Sequence, residues 1–397
     1  FAGYAFCKAH AAGYGQLAWQ SAALKARHPA EWAVGVLNHH AGMYPTWVHV
    51  EDLRRGGVQR APVTFLAPCV ERSSWDTTLD KVHTIDVEGP APPGRKQETA
   101  SHVSGGAVRS LRAVRVGLHR VQGLTHTTGE RIVAARPFAS VADFADRVRP
   151  TPPELDTLIL AGALDGVSRT EALARTATGN GTSAPPRTRA SMRLEARVLE
   201  ALSHRVTPRV RHTANPRASG LVLPDGQPFA PTAHAPRPGG EAVPELPELP
   251  LADLVRAEFA ATGLWFSAHP LDTFVSPAAL TGCTNANQLE RHVGKRVTVC
   301  GIPCAARRVE SKNGGIVLFT TLADHTGLIE CVLFPDTYKR WGQHMRGEVV
   351  RAQGRVDETL GALTVVIERA EPATTRTADT APLTWQEAGP PSRNRVA

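Results

Sequence analysis

Apolar side chains near the start of the chain recur at helical spacing. Tyr14, Leu17 and Leu24 share one face of a helix, and this pattern ends before Pro29. Pro29 itself suits the first turn of a second helix, because its fixed φ is preorganised for that position. Residues 1–90 are therefore predicted to form a compact, mostly helical unit.

Short helices separated by tight turns are predicted for residues 91–175. Pairs that fit a capping box, in which side chain and backbone satisfy each other's free groups, are Thr127 with Glu130, Ser140 with Asp143, and Ser168 with Glu171. Gly123 and Gly162 stand between the helical runs, where tight turns are needed. This order predicts tandem helix-hairpin-helix elements.

Residues 176–250 hold 12 of the 31 prolines and few aromatic residues. Such a segment buries too little apolar surface to offset its ordering entropy. We predict a Pro/Arg-rich linker here, with room for one helix around 192–202. Residues 251–284 are predicted to be a connecting helical segment.

Between residues 285 and 370, the spacing of apolar residues changes from helical periodicity to the alternation that is typical of β-strands. Val297 and Val299 alternate with polar neighbours, and Asn313-Gly314-Gly315 signals a hairpin. Five strands with a short helix between the third and the fourth match the OB barrel. The tail, 371–397, is polar and predicted to be disordered. The chain as a whole is thus predicted to be a multidomain α+β protein.

The basic charge of the chain is concentrated in one region. The formal net charge is +8, and residues 91–175 carry 12 basic and 8 acidic residues. A helix-hairpin-helix binds the sugar-phosphate backbone through hairpin amides and nearby basic side chains. The alternative is a solvated basic face. The candidates for DNA contact in this region are Arg109, Arg112, Arg115, Arg120, Gly123, Thr127, Thr128, Gly129 and Arg131.

The predicted barrel offers a second set of candidates for nucleic-acid contact. Arg307, Arg308 and Lys312 are its basic candidates, and Phe319 and Phe334 could stack on bases of a single strand. The alternative for each phenylalanine is a core position, because aromatic residues on strands commonly pack inside.

Several classes of protein and of site are excluded or disfavoured by the sequence. No apolar run reaches the roughly 18 residues that a membrane span needs, and the first residues do not resemble a signal peptide. Six scattered cysteines are too few for a disulfide scaffold, so a reducing cytoplasm is expected. Cys300, Cys304 and His292 lack the spacing of a zinc site, and no zinc is expected. No catalytic nucleophile motif or pair of metal-binding aspartates is found.

The N-terminal residues resemble a known family. Residues 1–14, FAGYAFCKAHAAGY, resemble the fingers of the bacterial C-family replicative polymerases, the DNA polymerase III alpha subunits. Leu53 to Val58, Leu160 to Asp165 and Ser267 to Leu271 resemble later segments of that family in the same order. Residues 1–90 would then be the fingers portion of a polymerase, and the chain looks like a C-terminal piece of a longer protein.

The resemblance implies template-directed addition of dNTPs to a primer 3′ end. It implies Mg²⁺ held by palm carboxylates upstream of this sequence, so the fragment alone is expected to be inactive. It assigns Tyr4, Lys8 and His10 to the incoming nucleotide, although Tyr4 and His10 could instead pack helices. The implied partners are primer-template DNA, single-stranded template, dNTP and other replication or damage-tolerance proteins.

Two departures from the family pattern bear on the role of the protein. No sliding-clamp peptide is found between the helix-hairpin-helix and barrel regions, so clamp binding has no support. No globular domain follows the barrel, which resembles the error-prone branch of the family. Two alternatives remain: a non-catalytic DNA-binding accessory protein, and the inactive product of a split or decayed polymerase gene.

Overall fold

The computed structural model of the protein describes most of the 397 residues. The described ranges are 8–39, 44–56, 62–82, 111–178, 186–206, 244–311, 314–359 and 361–373. Tyr4, Arg109 and Lys312 lie outside them, as do the side chains of Lys8 and Arg112. None of the helices in these ranges combines the length and apolarity that crossing a membrane requires.

Three helices begin the structure: α1 (Lys8–Arg27), α2 (Pro29–His39) and α3 (Thr46–Arg55). The break between α1 and α2 falls where the sequence predicts it. Helices α2 and α3 are held by buried Leu37, Trp47 and Leu53, whereas α1 is exposed along nearly its whole length. Its large apolar side chains therefore stay mostly exposed, and α1 contacts α2 and α3 through Ser21 and Lys25.

A small sheet follows that the sequence did not predict. Its strands are β1 (Thr64–Leu66), β2 (Thr78–Val82) and β3 (Leu111–Arg115). The central strand β3 pairs in parallel with β1 and antiparallel with β2. The strands are only three to five residues long, too short for an alternating pattern to stand out.

The helix-hairpin-helix region follows β3 and a 3-10 turn at Leu118–Arg120. Its helices are α4 (His126–Ala134), α5 (Val141–Val148), α6 (Pro152–Leu160) and α7 (Asp165–Thr178). Ser140 caps α5 as predicted, by accepting from the amide of Asp143. The other two predicted caps are wrong: Thr125, rather than Thr127, caps α4, and Ser168 lies inside α7.

The segment predicted as a linker contains a packed helix, α8 (Arg189–Val206). Met192 at its start is fully buried in the core of the helix-hairpin-helix region. The Thr188 hydroxyl donates to the Leu246 carbonyl at 2.9 Å, and the Leu246 amide donates to Ser191 Oγ at 2.8 Å. The helix that the sequence allows around 192–202 is thus present, and the described residues 244–250 pack against its first turn rather than extending away from it.

Three helices form the connecting segment: α9 (Leu251–Thr262), α10 (Pro270–Phe274) and α11 (Pro277–Leu280). A 3-10 turn at Ala286–His292 leads from them into the barrel. The connecting segment, α2, α3 and one side of the barrel share a hydrophobic core that includes Trp47, Phe259, Trp265 and Ile302. The barrel is thus attached to the helical part through a buried apolar contact.

The C-terminal unit is a closed five-stranded barrel, as predicted. Its elements are β4 (Arg296–Glu310), β5 (Ile316–Ala323), β6 (Leu328–Leu333), α12 (Pro335–Trp341), a 3-10 turn (His344–Arg346), β7 (Val350–Thr359) and β8 (Ala362–Pro372). The strand order is β4-β5-β6-β8-β7, with β7 returning to β4. All pairs are antiparallel except β6 with β8. The sequence therefore folds into a mixed α+β protein that contains helix-hairpin-helix and OB-type units.

Candidate nucleic-acid interface

The first hairpin joins the 3-10 turn Leu118–Arg120 to helix α4. Gly123 lies at its turn with φ of +76°, and a Cβ added there would meet open space. Gly123, His126 and Thr127 are exposed, and their amides donate to no acceptor among the described residues. Exposed, unengaged amides at the start of a helix can bind an anion such as a phosphate group.

The N-terminus of α4 is positioned by a carboxylate from α6. The Thr125 amide donates to Glu154 Oε1 at 3.0 Å, and the Thr125 hydroxyl donates to the same oxygen at 2.9 Å. Glu154 Oε2 accepts from the Thr151 amide at 2.9 Å, which closes a capping box at the start of α6. Burial raises the pKa of Glu154, but these hydrogen bonds outweigh it and lower the pKa to about 2. An ionised carboxylate therefore holds the first hairpin in place.

Two of the predicted contact residues serve the packing of the hairpin instead of its surface. Thr128 is 1% exposed, and Gly129 is buried against Trp75, where an added Cβ would lie 2.5 Å from the indole ring. The His126 ring meets the same indole edge-on, with the centroids 4.7 Å apart. Glycine is required at position 129 because the indole occupies the space of a side chain.

Arg115 was predicted to be a surface arginine that contacts DNA, but it does not lie on the surface. Its side chain is buried, and its Nε donates to Asp80 Oδ2 at 2.6 Å in an ion pair within the small sheet. Arg120 is half-buried and donates to the Thr262 carbonyl at 3.1 Å, which joins the hairpin to α9. Both guanidinium groups hold elements of the fold together.

Arg131 and Thr127 are exposed beside the first hairpin, as the sequence predicts. Arg131 is exposed on α4, and its Nη2 donates to Thr128 Oγ1 at 2.8 Å. Thr127 is exposed in the first turn of the same helix. The hairpin thus presents backbone donors with one guanidinium nearby.

In the second hairpin, between α6 and α7, the space beside the turn glycine is occupied by the Arg189 side chain. Gly162 also has φ of +76°, but a Cβ added there would collide with the Arg189 guanidinium. Arg189 pairs with Asp165 at 3.0 Å and with Glu258 at 2.9 Å, and its Nη1 donates to the Leu160 carbonyl at 3.2 Å. A network of buried ion pairs therefore occupies the space around this hairpin.

One outer face of the barrel combines an exposed aromatic ring with an arginine. Phe319 on β5 is 48% exposed, so it is not a core residue. It stands opposite Arg307 on β4 and Val332 on β6 in the strand register. Phe334, just after β6, is 53% exposed. OB folds bind oligonucleotides on the outer face of their second and third strands, which here are β5 and β6.

Arg308 lies near the same end of the barrel. It is exposed, and its guanidinium carbon lies 6.0 Å from the centre of the Tyr338 ring on α12. This is the outer limit for a cation–π contact. Arg308 therefore remains available to a ligand that approaches β4.

The residues assigned to the nucleotide by resemblance are only partly described. Lys8 is the first residue of α1, and the exposed His10 ring lies 4.6 Å from the Tyr14 ring. Tyr14, Leu17 and Trp19 on the same helix are 64%, 62% and 71% exposed. Large apolar side chains exposed together mark a surface that another part of a protein can cover.

Within the described ranges, one group of potential metal ligands comes together. Side-chain atoms of His269, Asp272 and His325 lie within 4.8 Å of one another. His325 Nε2 contacts Asp272 Oδ1 at 2.9 Å, and His269 Nδ1 accepts from the Leu271 amide at 3.2 Å. Two imidazoles and one carboxylate do not fit Mg²⁺, which prefers oxygen ligands.

Comparison with protein-family models identifies both nucleic-acid-binding units. Residues 62–174 match the helix-hairpin-helix motif model. Residues 297–373 match the model of the OB-fold nucleic acid binding domain. The first match includes the small sheet, and the second covers the barrel. Both predicted units are thereby confirmed.

A solved structure resembles part of this chain only weakly. The second OB-fold domain of replication protein A from Methanococcus maripaludis is 19% identical. The match covers 22% of this chain and 94% of that domain, with a TM-score of 0.19. A likeness at this score supports no conclusion about a ligand.

Three bacterial relatives match nearly the whole chain. The error-prone DNA polymerase of Anaeromyxobacter sp. (strain K) is 31% identical over 380 residues, 94% of this chain and 27% of that protein. The error-prone DNA polymerase of Symbiobacterium thermophilum is 28% identical over 383 residues, 93% of this chain and 32% of that protein. DNA polymerase III subunit alpha of Bacillus subtilis is 25% identical over 378 residues, 94% of this chain and 28% of that protein. The chain is therefore related over nearly its whole length to one segment of the bacterial error-prone and polymerase III alpha DNA polymerases, and spans about a third or less of their length.

Proposed function

We propose that this chain is the DNA-holding, C-terminal part of a bacterial DNA polymerase. The observation that carries the proposal is the first hairpin, whose three exposed amides donate to no acceptor in the described structure. The agreement of helix-hairpin-helix and OB-fold models with this geometry supports it. In this function the hairpin binds the phosphate backbone of the primer-template duplex without reading its sequence.

The barrel binds the single-stranded template in this proposal. Phe319 and Phe334 offer exposed rings on which bases stack, and Arg307 stands beside Phe319 to pair with phosphates. Arg308 adds charge at the same end of β4. Duplex and single strand would thus be held by two different units of one chain.

The N-terminal helix is proposed to face the nucleotide and the rest of the polymerase. Tyr4, Lys8 and His10 would contact the incoming dNTP, with Lys8 and His10 on the triphosphate. The large apolar side chains of α1 are exposed. Their exposure supports a contact between α1 and a part of the polymerase that lies outside the segment matched by this chain. The metal-binding carboxylates would lie in that other part, so this chain alone would not catalyse nucleotide addition.

The proposed cellular role is error-prone synthesis past DNA damage. The support is that relatives with the higher identities, 31% and 28%, carry the name error-prone DNA polymerase, while the polymerase III alpha subunit is 25% identical. The role is tested by comparing DNA synthesis past lesions in strains with and without the gene for the full polymerase. Unchanged damage-induced mutagenesis without the gene would contradict it.

Two substitutions at one position test the hairpin function. His126→Pro removes the amide at the first position of α4, where proline is well accepted. The preceding Thr125 has ψ of 151°, which a following proline also accepts. His126→Ala removes the ring and keeps the amide, so it is the matched control.

The two variants of the 397-residue chain are compared by fluorescence anisotropy on a short duplex. A hydrogen bond to a charged group contributes about 1.5–3 kcal/mol, so His126→Pro should weaken duplex binding by about tenfold or more. His126→Ala should stay within about threefold of the parent chain, because it leaves the amide in place. Equal affinities for His126→Pro and the parent chain would refute the hairpin function.

A further inference from the structure

Three potential metal ligands meet where the connecting segment touches the barrel. His269 and Asp272 lie at the start of α10, and His325 lies in the turn between β5 and β6. One ligand atom from each lies within 4.8 Å of the other two. The side chains of His325 and Asp272 are 42% and 57% exposed, so an ion can reach the cluster from solvent. None of the three is among the residues proposed above to contact DNA.

The start of α10 presents two of the ligands together. His269 is the N-cap of α10, and its Nδ1 accepts from the Leu271 amide at 3.2 Å. Because this nitrogen accepts a hydrogen bond, it carries no proton, and its lone pair is the one that a metal ion takes in place of the amide. The His269 ring also packs edge-on against the Trp265 ring, with the centroids 5.8 Å apart. Asp272 stands three residues after the N-cap, where side chains approach each other.

The third ligand is carried by an ordered turn. Asp324 Oδ1 accepts from the Gly327 amide at 2.8 Å, and the Asp324 amide donates to the Gly327 carbonyl at 3.0 Å. These bonds fix the turn that carries His325. Its Nε2 contacts Asp272 Oδ1 at 2.9 Å, and its ring centroid lies 4.3 Å from that of His269. The second imidazole distinguishes this cluster from a simple surface ion pair.

The donor set indicates the class of metal. Two imidazole nitrogens and one carboxylate oxygen suit Zn²⁺ and similar divalent transition metals, whereas Mg²⁺ and Ca²⁺ prefer oxygen ligands alone. Tetrahedral Zn²⁺ holds its ligand atoms roughly 3.4 Å apart, from bonds of about 2.0–2.2 Å. The distances in the cluster, between 2.9 Å and 4.8 Å, lie on both sides of that value. Rotations of the exposed side chains therefore suffice to bring all three to bonding distance.

The arginines beside the cluster have acidic partners of their own. Arg55 of α3 approaches the β5–β6 turn and pairs with Asp52 at 3.8 Å. Arg54 approaches the connecting segment and pairs with Glu51 at 2.6 Å. Both positive charges are thus at least partly balanced, and the Asp272 carboxylate supplies a negative charge to a bound cation.

We propose that His269, Asp272 and His325 form a binding site for a divalent transition-metal ion, with Zn²⁺ as the fitting occupant. Three protein ligands leave the fourth tetrahedral position to water. The bound ion joins the start of α10 to the β5–β6 turn and so fixes the barrel on the connecting segment. Its ligands also set this site apart from the Mg²⁺ of nucleotide addition, because two of them are imidazoles.

The test titrates Zn²⁺ into the metal-free 397-residue chain in competition with a chromogenic chelator. We expect one site in the parent chain that His325→Ala weakens by about tenfold or more, since losing even a group that only orients a ligand costs about 10–100-fold. His292→Ala removes a histidine outside the cluster and is the matched control, which should bind as the parent chain does. The cysteines are the same in all these proteins, so binding by thiols is common to them. Equal Zn²⁺ affinities for His325→Ala and the parent chain would overturn the proposal.

A second substitution separates metal binding from the capping role of His269. His269→Asn removes the imidazole and keeps a side-chain oxygen that caps a helix well. Its stability without metal should therefore change little, while its Zn²⁺ affinity should fall by about tenfold or more.

Thermal unfolding with and without Zn²⁺ gives an independent readout. Saturating Zn²⁺ should raise the Tm of the parent chain and of His292→Ala, because an ion that binds only the folded state stabilises it. The Tm of His269→Asn and of His325→Ala should not rise, and excess Mg²⁺ should not replace Zn²⁺ in the parent chain. A rise of the same size in all four proteins, or replacement of Zn²⁺ by Mg²⁺, would contradict the site.

Discussion

The two hairpins of the helix-hairpin-helix region have the same backbone turn and different surroundings. Gly123 and Gly162 both adopt φ of +76°, yet the space beside Gly123 is open and the space beside Gly162 holds the Arg189 guanidinium. One hairpin therefore has free amides at an exposed helix start, and the other is sealed by buried ion pairs. The comparison indicates a division of tasks within a repeated motif: the first hairpin is the one proposed to bind a phosphate, and the second attaches α8 and α9.

The largest loss of stability is expected from removing the Arg189 side chain, which fills the space beside the second hairpin. Arg189→Ala removes the cation paired with Glu258, which is 0% exposed and keeps only neutral donors from Phe266 and Ser267. Removing one member of a buried ion pair costs about 3–5 kcal/mol. Urea denaturation should show a loss of that size in the free energy of unfolding.

A matched ion pair on the surface provides the control for Arg189. Arg296→Ala breaks the pair with Glu368 on the barrel, where both side chains are substantially exposed, and should cost under about 1 kcal/mol. If Arg189→Ala cost no more than Arg296→Ala, the buried network would not be what closes the second hairpin.

A smaller effect is expected from the carboxylate that orders the first hairpin. Glu154→Gln exchanges a charged acceptor for a neutral one and should cost about 1.5–3 kcal/mol of unfolding free energy at pH 7. The folded-state pKa of about 2 lies below the ordinary value of 4.5. The stabilisation by Glu154 is therefore complete above about pH 4.5 and is lost as the pH falls through 2.

Denaturation at several pH values tests this dependence. The difference between the parent chain and Glu154→Gln should narrow steadily from pH 5 to pH 2.5. Glu130→Gln, at a position with a 66% exposed side chain, should show no such change. A difference that stays constant with pH would contradict the role assigned to the Glu154 carboxylate.

The smallest effect on DNA affinity is expected at the barrel, and it tests whether the barrel and the first hairpin bind different forms of DNA. Phe319→Ala removes one exposed ring from β5, and base stacking contributes about 1–3 kcal/mol per base. Affinity for a single-stranded oligonucleotide should fall by about fivefold, the low end of that range, with duplex affinity unchanged. Leu251→Ala, at an equally exposed position on α9, is the control. Equal losses on single strand and duplex would mean that the two surfaces are not separate.

The elements with a long, regular pattern were predictable from the sequence. The break between α1 and α2, the cap at Ser140 and the five barrel strands lie where periodicity places them, because each depends on neighbours close in sequence. The exposed rings of the barrel were also among the predicted candidates. Phe319 could not be separated from a core residue, however, since both readings fit a strand.

The remaining features depend on partners far apart in the chain. The sequence predicts Thr127 as the cap of α4, but the cap is Thr125, whose amide and hydroxyl donate to Glu154, 29 residues away. Arg115 looks like a surface residue until Asp80, 35 residues upstream, is placed beside it. Arg189 lies in a proline-rich stretch, and only folding brings it to Gly162. Local patterns contain no information about such pairings.

The division of tasks between the two hairpins is tested most directly by amide NMR of the labelled chain during titration with a short DNA duplex. The account predicts that the amide signals of Gly123, His126 and Thr127 shift in proportion to bound duplex, and that those of Gly162, Ala163 and Leu164 do not. Equal shifts at both hairpins, or shifts confined to the second, would contradict it.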